Sequence, residues 1–340
     1  MEENFSHGGD VKSFANELSC YIDEVIDLSS NINFIKPEID IDFNSLDISA
    51  YPSYDKLYSS IAKIYNVKPE ELELFNGGSS AIFSLFKFFE TRNCYIYSPA
   101  YLEYKKAAQK FNYNTYFINR FVELDYVVMP NSLVVFVNPS TPDGTFYDID
   151  KLMKSWIELD CTILIDESFL DFTSFKSVIK YLKSYDKLYI LKSMTKFYSS
   201  AGIRVGTIIS NKNNIQKLKE FEPMWKISQF DQAYLKSVLK DVNFPQISRA
   251  VNIKNKELLT KILNSCKYVL NISDSSANYL LVHLKGIKAN QFQELLKPYK
   301  IMIRDCSNFD FLDDSFIRVA VKSEKNIISL KKALEDVDKK

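Results

Sequence analysis

The run Ser193-Met-Thr-Lys-Phe-Tyr-Ser-Ser-Ala-Gly-Ile-Arg-Val-Gly206 follows, after Lys192, the apolar stretch Lys187-Leu-Tyr-Ile-Leu191. That stretch has the length and composition of a buried strand. At its end stand Lys196, hydroxyls on both sides of it and, eight residues on, Arg204. Lys196 is then either a surface amine on a loop or a reactive amine held in a pocket. What the neighbouring strands deliver to the same sheet edge decides between the two.

Outward from this run, helix-like and strand-like stretches alternate. Upstream, residues 55–65 place Leu57, Ile61 and Ile64 at helical spacing, and residues 71–75 alternate as a strand. Helices are expected over 79–90, 101–110, 151–158 and 175–184, and strands over 94–97, 133–137, 161–165 and 188–191. Downstream come a strand at 205–209 and a helix-rich stretch to about residue 265. Strands at 279–284, 301–304 and 316–321 and helices at 289–296 and 324–337 complete the pattern. This βαβ rhythm implies an α/β fold: a mostly parallel central sheet sandwiched by helices, plus a small α+β domain. The expected division is an N-terminal arm (1–44) that contributes to the small domain and the active site, a large domain (45–240) and a small C-terminal domain (241–340).

The chain has 340 residues, 46% of them hydrophobic, enough to bury a substantial core. Lys+Arg and Asp+Glu are 43 each, so charge makes no case for nucleic acid or for an anionic membrane surface. The longest apolar runs are strand length, too short to span a bilayer. The acidic N-terminus, Met1-Glu-Glu-Asn-Phe-Ser, does not have the form of a signal peptide. Five scattered cysteines form neither a metal pattern nor a disulfide framework, which fits a reducing cytoplasm. With only His7 and His283 there is no His-rich metal site, and a Ser-His-Asp triad has few ways to form.

In open α/β sheets, ligands bind outside the carboxyl ends of the strands. Here five such ends carry small or polar residues: Asn76-Gly-Gly-Ser-Ser80, Ser98-Pro-Ala-Tyr101, Asn138-Pro-Ser-Thr-Pro-Asp-Gly144, Asp166-Glu-Ser168 and Ser193-Met-Thr-Lys196. Gly77, Gly78 and Ser79 make either a simple tight turn or a helix start whose free N–H groups favour phosphate. Neither GxGxxG nor GxxxxGK[ST] occurs, so nicotinamide-dinucleotide and P-loop chemistry lack their fingerprints. Asp166 ends an apolar strand and serves either as a structural cap or ion-pair partner, or as a carboxylate that keeps a heterocyclic nitrogen protonated. Lys196 lies one crossover further on, at the same edge, where desolvation would make it nucleophilic towards an aldehyde. Ser193 and Arg204 supply a hydroxyl and a guanidinium for a phosphate, and Tyr101 is either packing or the face on which a ring stacks. Amine, carboxylate, phosphate cup and aromatic together match pyridoxal 5'-phosphate.

With these residues in place, the chain resembles the fold-type I pyridoxal-phosphate enzymes of the aminotransferase class I/II group over nearly its whole length. The family's S-x-[ST]-K segment with its later arginine appears as Ser193, Lys196 and Arg204, and its D-E-x-[YF] motif as Asp166-Glu-Ser-Phe169. The resemblance implies that Lys196 binds the cofactor's aldehyde and Asp166 its ring nitrogen. It further implies that Gly78, Ser79, Ser193 and Arg204 hold the phosphate and that Tyr101 stacks on the ring. Tyr51, in Tyr51-Pro52, looks like the family's tyrosine that reaches the cofactor phosphate of a neighbouring subunit, which implies a homodimer with shared active sites. Within the group, further blocks are similar to the L-threonine-O-3-phosphate decarboxylase branch: His7-Gly-Gly9, Asp27-Leu-Ser-Ser-Asn-Ile-Asn33, Asp166-Glu-Ser-Phe-Leu-Asp-Phe172, Thr195-Lys-Phe-Tyr198, Ile303-Arg-Asp-Cys-Ser-Asn-Phe309 and Ile317-Arg-Val-Ala-Val321. That likeness implies a small phosphorylated amino acid as substrate, with Arg304 and Arg318 on its carboxylate, His7 on its phosphate and Asn31 beside it. It implies loss of CO₂ to give an aminoalcohol phosphate for a cobamide; the alternative is an aminotransferase of the histidinol-phosphate type. Two positions depart from the wider family. Thr141 stands where an asparagine usually meets the cofactor's ring hydroxyl, and Phe169 replaces the usual tyrosine.

Overall fold

The computed structural model describes residues 7–339. Its strands, in chain order, are β1 (Ile26–Asp27), β2 (Leu72–Phe75), β3 (Asn93–Ser98), β4 (Asn114–Asn119), β5 (Leu133–Val137), β6 (Thr162–Asp166), β7 (Leu188–Ser193), β8 (Gly206–Ile209), β9 (Val269–Ile272), β10 (Tyr279–Leu284), β11 (Ile301–Met302), β12 (Arg304–Asp305) and β13 (Phe316–Ala320). Seven of them form the central sheet, in the order β2-β8-β7-β6-β5-β3-β4. β4, β3, β5, β6 and β7 are mutually parallel. β8 is antiparallel to both β7 and β2, so β2 runs the same way as β7.

The direction of β8 positions the site. The carboxyl ends of β2, β3, β5, β6 and β7 share one edge, and β8 enters the sheet from that same edge. Arg204, just before β8, therefore arrives beside residues that follow the other strands. The chain leaves β3 outward to β4 and then returns to β5 on the other side, a topological switch point at that edge.

β5 (Leu-Val-Val-Phe-Val) is buried at every position because helices cover both faces of the sheet. On one face, helices Gly78–Phe88, Leu102–Lys110 and Lys212–Phe221 contribute Ala81, Leu85, Tyr104, Ala107, Ile215 and Leu218 to a buried layer. On the other, Asp55–Tyr65, Asp150–Glu158 and Gln229–Val238 contribute Leu57, Ile61, Leu152, Trp156 and Leu235. Helix ends are set by local chemistry. The side chains of Asn211 and Ser228 cap the starts of two helices, and Asn66, in the left-handed conformation at φ 53°, ends another.

A second, antiparallel sheet, β12-β13-β10-β9, has its own core of Leu280, Val282, Ile317 and Val319 packed with Leu259, Phe292 and Leu330. The N-terminal segment belongs to this core. β1 pairs with β11, Leu28 is fully buried there, and its N–H and C=O bond to Met302 O and Ala320 N at 2.8 Å each. The long helix Phe244–Asn264 spans the two regions, with Phe244 in the first core and Leu259 in the second.

Two expectations are corrected, and one strand lies beyond them. Residues 175–184 do not form an α-helix. The segment Val178–Lys183 is 3₁₀, and its start is tied sideways, with Ser177 Oγ (2.6 Å) and Val178 N (2.9 Å) both donating to Glu167. The single strand at 301–304 is instead two, β11 and β12, in different sheets. At the break, Ile303 N donates to the Gln293 side chain at 2.8 Å instead of to a strand partner. β4 (Asn-Thr-Tyr-Phe-Ile-Asn) escaped the pattern because it is an edge strand, half exposed and without a continuous apolar run.

Candidate active site

A cleft of about 310 Å³ opens at the shared strand edge. It is lined by Gly78, Ser79, Tyr101, Thr141, Asp166, Ser193, Lys196 and Arg204, and also by His7, Asn31, Arg304 and Arg318. Of the residues expected from the sequence, only Tyr51 lies elsewhere. Its side chain is 76% exposed and stacks on Trp225 at 4.2 Å.

The glycines form a cradle. Gly77 has φ +83°, and a Cβ there would collide with the Arg204 guanidinium. A Cβ on Gly206 would lie 2.7 Å from Gly77 C and Gly78 N. Both positions need hydrogen in place of a side chain so that Arg204 can lie against the start of helix Gly78–Phe88. Ser79 Oγ, in the first turn, is 3.0 Å from the Tyr101 hydroxyl. The Thr195 hydroxyl is buried at the cleft and has no partner among the described residues. Exposed helix-start N–H groups, an arginine, hydroxyls and one orphaned buried hydroxyl fit a phosphate group.

Lys196 sits on a short helical turn, Met194–Phe197, directly after β7. The turn is clamped from the N-terminal segment: Asn33 N donates to Lys196 O at 3.0 Å, and Asn33 Nδ2 donates to Phe197 O at 2.8 Å. Desolvation, followed by repulsion from Arg318 and Arg204, lowers the Lys196 pKa to about 8. A substantial fraction of neutral amine near neutral pH is what attack on an aldehyde requires.

On the neighbouring strand, Asp166 is 4% exposed. Its Oδ2 accepts from Tyr104 Oη at 2.8 Å, and its Oδ1 accepts from Ser168 N at 2.9 Å and from Ser168 Oγ. Burial raises its pKa above the ordinary carboxylate value, while the Ser168 and Tyr104 hydrogen bonds oppose the rise. Beside it, Lys192 of β7 and Glu167 form an ion pair at 2.5 Å, with side chains 2% and 3% exposed. This pair fastens the ends of β6 and β7 together, one residue from Ser193 and one from Asp166.

Arg304 and Arg318 face each other in register on β12 and β13 and are each 7% exposed. Arg318 Nη1 donates to Thr141 Oγ1 at 3.2 Å and Nη2 to Ser29 O at 3.0 Å. Its Nε has no hydrogen-bond partner among the described residues. Arg304 Nη2 donates to Asn308 Oδ1 at 2.8 Å, and burial pushes its pKa down from the ordinary arginine value. Asn31, 7% exposed, holds the neighbouring chain through its carbonyl, which accepts from Asn278 Nδ2 at 2.9 Å. At the mouth, His7 Nε2 lies 3.1 Å from Glu103 Oε1, and its ring is 5.4 Å from that of Tyr101.

Three contributors were not singled out from the sequence: Tyr104, Ser168 and Thr195. Tyr104 carried a usable signal, since it stands one helical turn after Tyr101 and shares its face. Ser168 and Thr195 are common small residues whose importance lies in what they touch. The hydroxyl of Thr141, expected at the cofactor ring, is engaged by Arg318.

Known proteins resemble this chain over most of its length. Residues 25–335 match the family described as aminotransferase class I and II. A putative threonine-phosphate decarboxylase of Caldanaerobacter subterraneus subsp. tengcongensis is 30% identical over 97% of this chain and 93% of its own. The adenosylcobalamin biosynthesis bifunctional protein CobDQ of Leptospira interrogans is 27% identical over 93% of this chain and 39% of its own. The crystal structure of the histidinol-phosphate aminotransferase from Clostridium acetobutylicum superimposes with a TM-score of 0.83 at 30% identity, covering 92% of this chain and 98% of that one. By the family match over residues 25–335, the chain belongs to the pyridoxal-phosphate-dependent aminotransferase class I and II family.

Proposed function

We propose that this chain is a decarboxylase of an O-phosphorylated hydroxy amino acid, L-threonine O-3-phosphate or L-serine O-3-phosphate, releasing CO₂ and an aminoalcohol phosphate. The observation that carries the reading is Arg318. It is a buried guanidinium outside the cofactor's phosphate cradle, with no carboxylate within ion-pair distance among the described residues and with Nε unpartnered. Such a group calls for an anion. Arg304 stands in register beside it for the same anion, and His7 at the mouth provides for a second one. A substrate bearing both a carboxylate and a phosphate fits this set, and the 30% identical threonine-phosphate decarboxylase relative supports it.

When bound, pyridoxal phosphate would supply an electron sink for a bond broken at the carbon that bears the substrate amine. In the proposed reaction Ser79, Ser193 and Arg204 hold the cofactor phosphate, Tyr101 covers one ring face and Asp166 faces the ring nitrogen. Arg318 fixes the substrate carboxylate, and Thr141 fixes Arg318. Arg318 would thereby decide whether the carboxylate is released as CO₂ or retained. Lys196 Nζ, having taken up a proton from the incoming substrate's ammonium group, would return it to the carbon left behind. Tyr51 reaches the cleft of a second copy in a homodimer. The cobalamin-related relative supports a product destined for a cobamide.

A second reading, an aminotransferase of the histidinol-phosphate type, is favoured by the likeness to the Clostridium acetobutylicum enzyme. Purified protein loaded with cofactor and given L-threonine O-3-phosphate or L-serine O-3-phosphate separates the two. The expected result is CO₂ release without any keto acid. Amino transfer that depends on a keto acid, with no CO₂, would replace the first reading by the second.

A further inference from the structure

Asp166 is a buried carboxylate without a cation. No lysine, arginine or histidine nitrogen lies within 4 Å of it among the described residues, and its side chain is held by neutral donors only. Left alone in such surroundings, a carboxylate takes up a proton and becomes neutral. The donors are arranged against this. Ser168 grips Oδ1 with its backbone N–H and its hydroxyl, in a turn closed within three residues. Tyr104 grips Oδ2 from the far side. Tyr104 is fully buried, and burial and the neighbouring Asp166 charge hold its hydroxyl protonated, so it stays a donor. It stands one turn after Tyr101, with the two rings edge-on at 6.4 Å. One helix thus brings both the ring-stacking aromatic and the donor to the carboxylate.

We propose that Tyr104 and Ser168 are positioning residues that keep Asp166 ionised and aimed into the cleft, so that a proton shared with the cofactor's ring nitrogen resides on the nitrogen. The inference rests on the reading of Asp166 as the ring-nitrogen partner. Each donor stabilises the anion and makes it a poorer proton acceptor. The proton therefore stays on the nitrogen, and the ring stays cationic and electron-withdrawing. Loss of either donor lets the proton slide to the carboxylate and leaves the ring neutral.

The test compares binding of two ligands to cofactor-free protein: pyridoxal 5'-phosphate and its 1-deaza analogue, in which carbon replaces the ring nitrogen. Native protein prefers the natural cofactor. Tyr104→Phe and Ser168→Ala are each expected to cut that preference roughly tenfold, as loss of a hydrogen bond to a charged group implies. Affinity for the deaza analogue, which also reports that the variant is folded, should change less than about threefold, since its ring cannot use the charge. The ¹⁵N shift of ring-labelled cofactor should move towards that of neutral pyridine, and Ser168→Thr, which restores the hydroxyl, should recover the native shift. Equal weakening of both ligands, or an unchanged ¹⁵N shift, would overturn the proposal. Asp166→Ala separates the two levels. If it leaves the preference intact, the reading of Asp166 itself falls. If it abolishes the preference while Tyr104→Phe and Ser168→Ala do not, the positioning role alone falls.

Discussion

Lys196 titrates near pH 8 instead of the ordinary 10.5 because burial and two arginines disfavour its charged form. The unfolded chain therefore keeps a proton that the folded protein has released between those two values. Stability of the cofactor-free protein rises with pH through this window, and below about pH 8 the full penalty applies. Lys196→Met should thus stabilise the cofactor-free protein by about 2 kcal/mol at pH 7, discounted for the open cleft, with the gain fading towards pH 10.5. Urea unfolding at pH 7 and pH 10 measures it, and a variant no more stable at pH 7 means that the amine is well solvated. The same substitution, or Lys196→Ala, should abolish the yellow absorbance on adding pyridoxal phosphate and the covalent label left by borohydride. Arg318→Met should lower kcat/KM for the phosphorylated substrate by about 10²–10³, the cost of losing a charged hydrogen-bonding partner in a buried site. An unchanged kcat/KM would show that the substrate carboxylate is held elsewhere. Lys196, Asp166 and Arg204 were legible in the sequence as costly residues beside strand ends, whereas Arg318 was singled out only by the family resemblance. Ser168 and Thr195 were not, because a serine or threonine carries no sign of whether its hydroxyl is orphaned or engaged.

The elements were legible where one physical pattern dominates. β5, β6 and β7 are continuous apolar runs because both sheet faces are covered. The helices that cover them show one apolar stripe each. Legibility failed where side chains replace backbone partners, as at Val178–Lys183, held by Glu167, and at Ile303, held by Gln293. It also failed for the direction of β8, since an apolar strand reads the same both ways. That direction has a testable cost. β8 meets the loop after β2 so closely that Gly206 has no room for a methyl group. Gly206→Ala should destabilise the protein by about 2–3 kcal/mol through overpacking and weaken cofactor binding, as read by thermal unfolding and by cofactor titration. A variant with native stability and native affinity would mean that the loop yields freely.

At the scale of the whole molecule, Tyr51 and Trp225 form an exposed aromatic pair, with Met224 and Ile48 also exposed. In the proposed homodimer these residues lie at the interface, and Tyr51 completes the partner's site. Tyr51→Ala and Lys196→Ala proteins, each impaired alone, should regain activity when mixed and refolded together, up to about a quarter of the native value, because in half of the random dimers one site is intact. No recovery, with dimers confirmed by sedimentation, would show that the sites are not shared. The pairing of β1 with β11, Ile26 against Ile301, also fixes an order of events. The strands that carry Asp166 and Lys196 lie between residues 162 and 193, and on the ribosome they emerge long before residues 301–320. Residues 26–28 have no strand partner until residues 300–320 have emerged, and closing so long a loop is slow. The groups proposed to hold the cofactor are therefore all available before the groups proposed to choose its substrate, and β1 takes its place only after both.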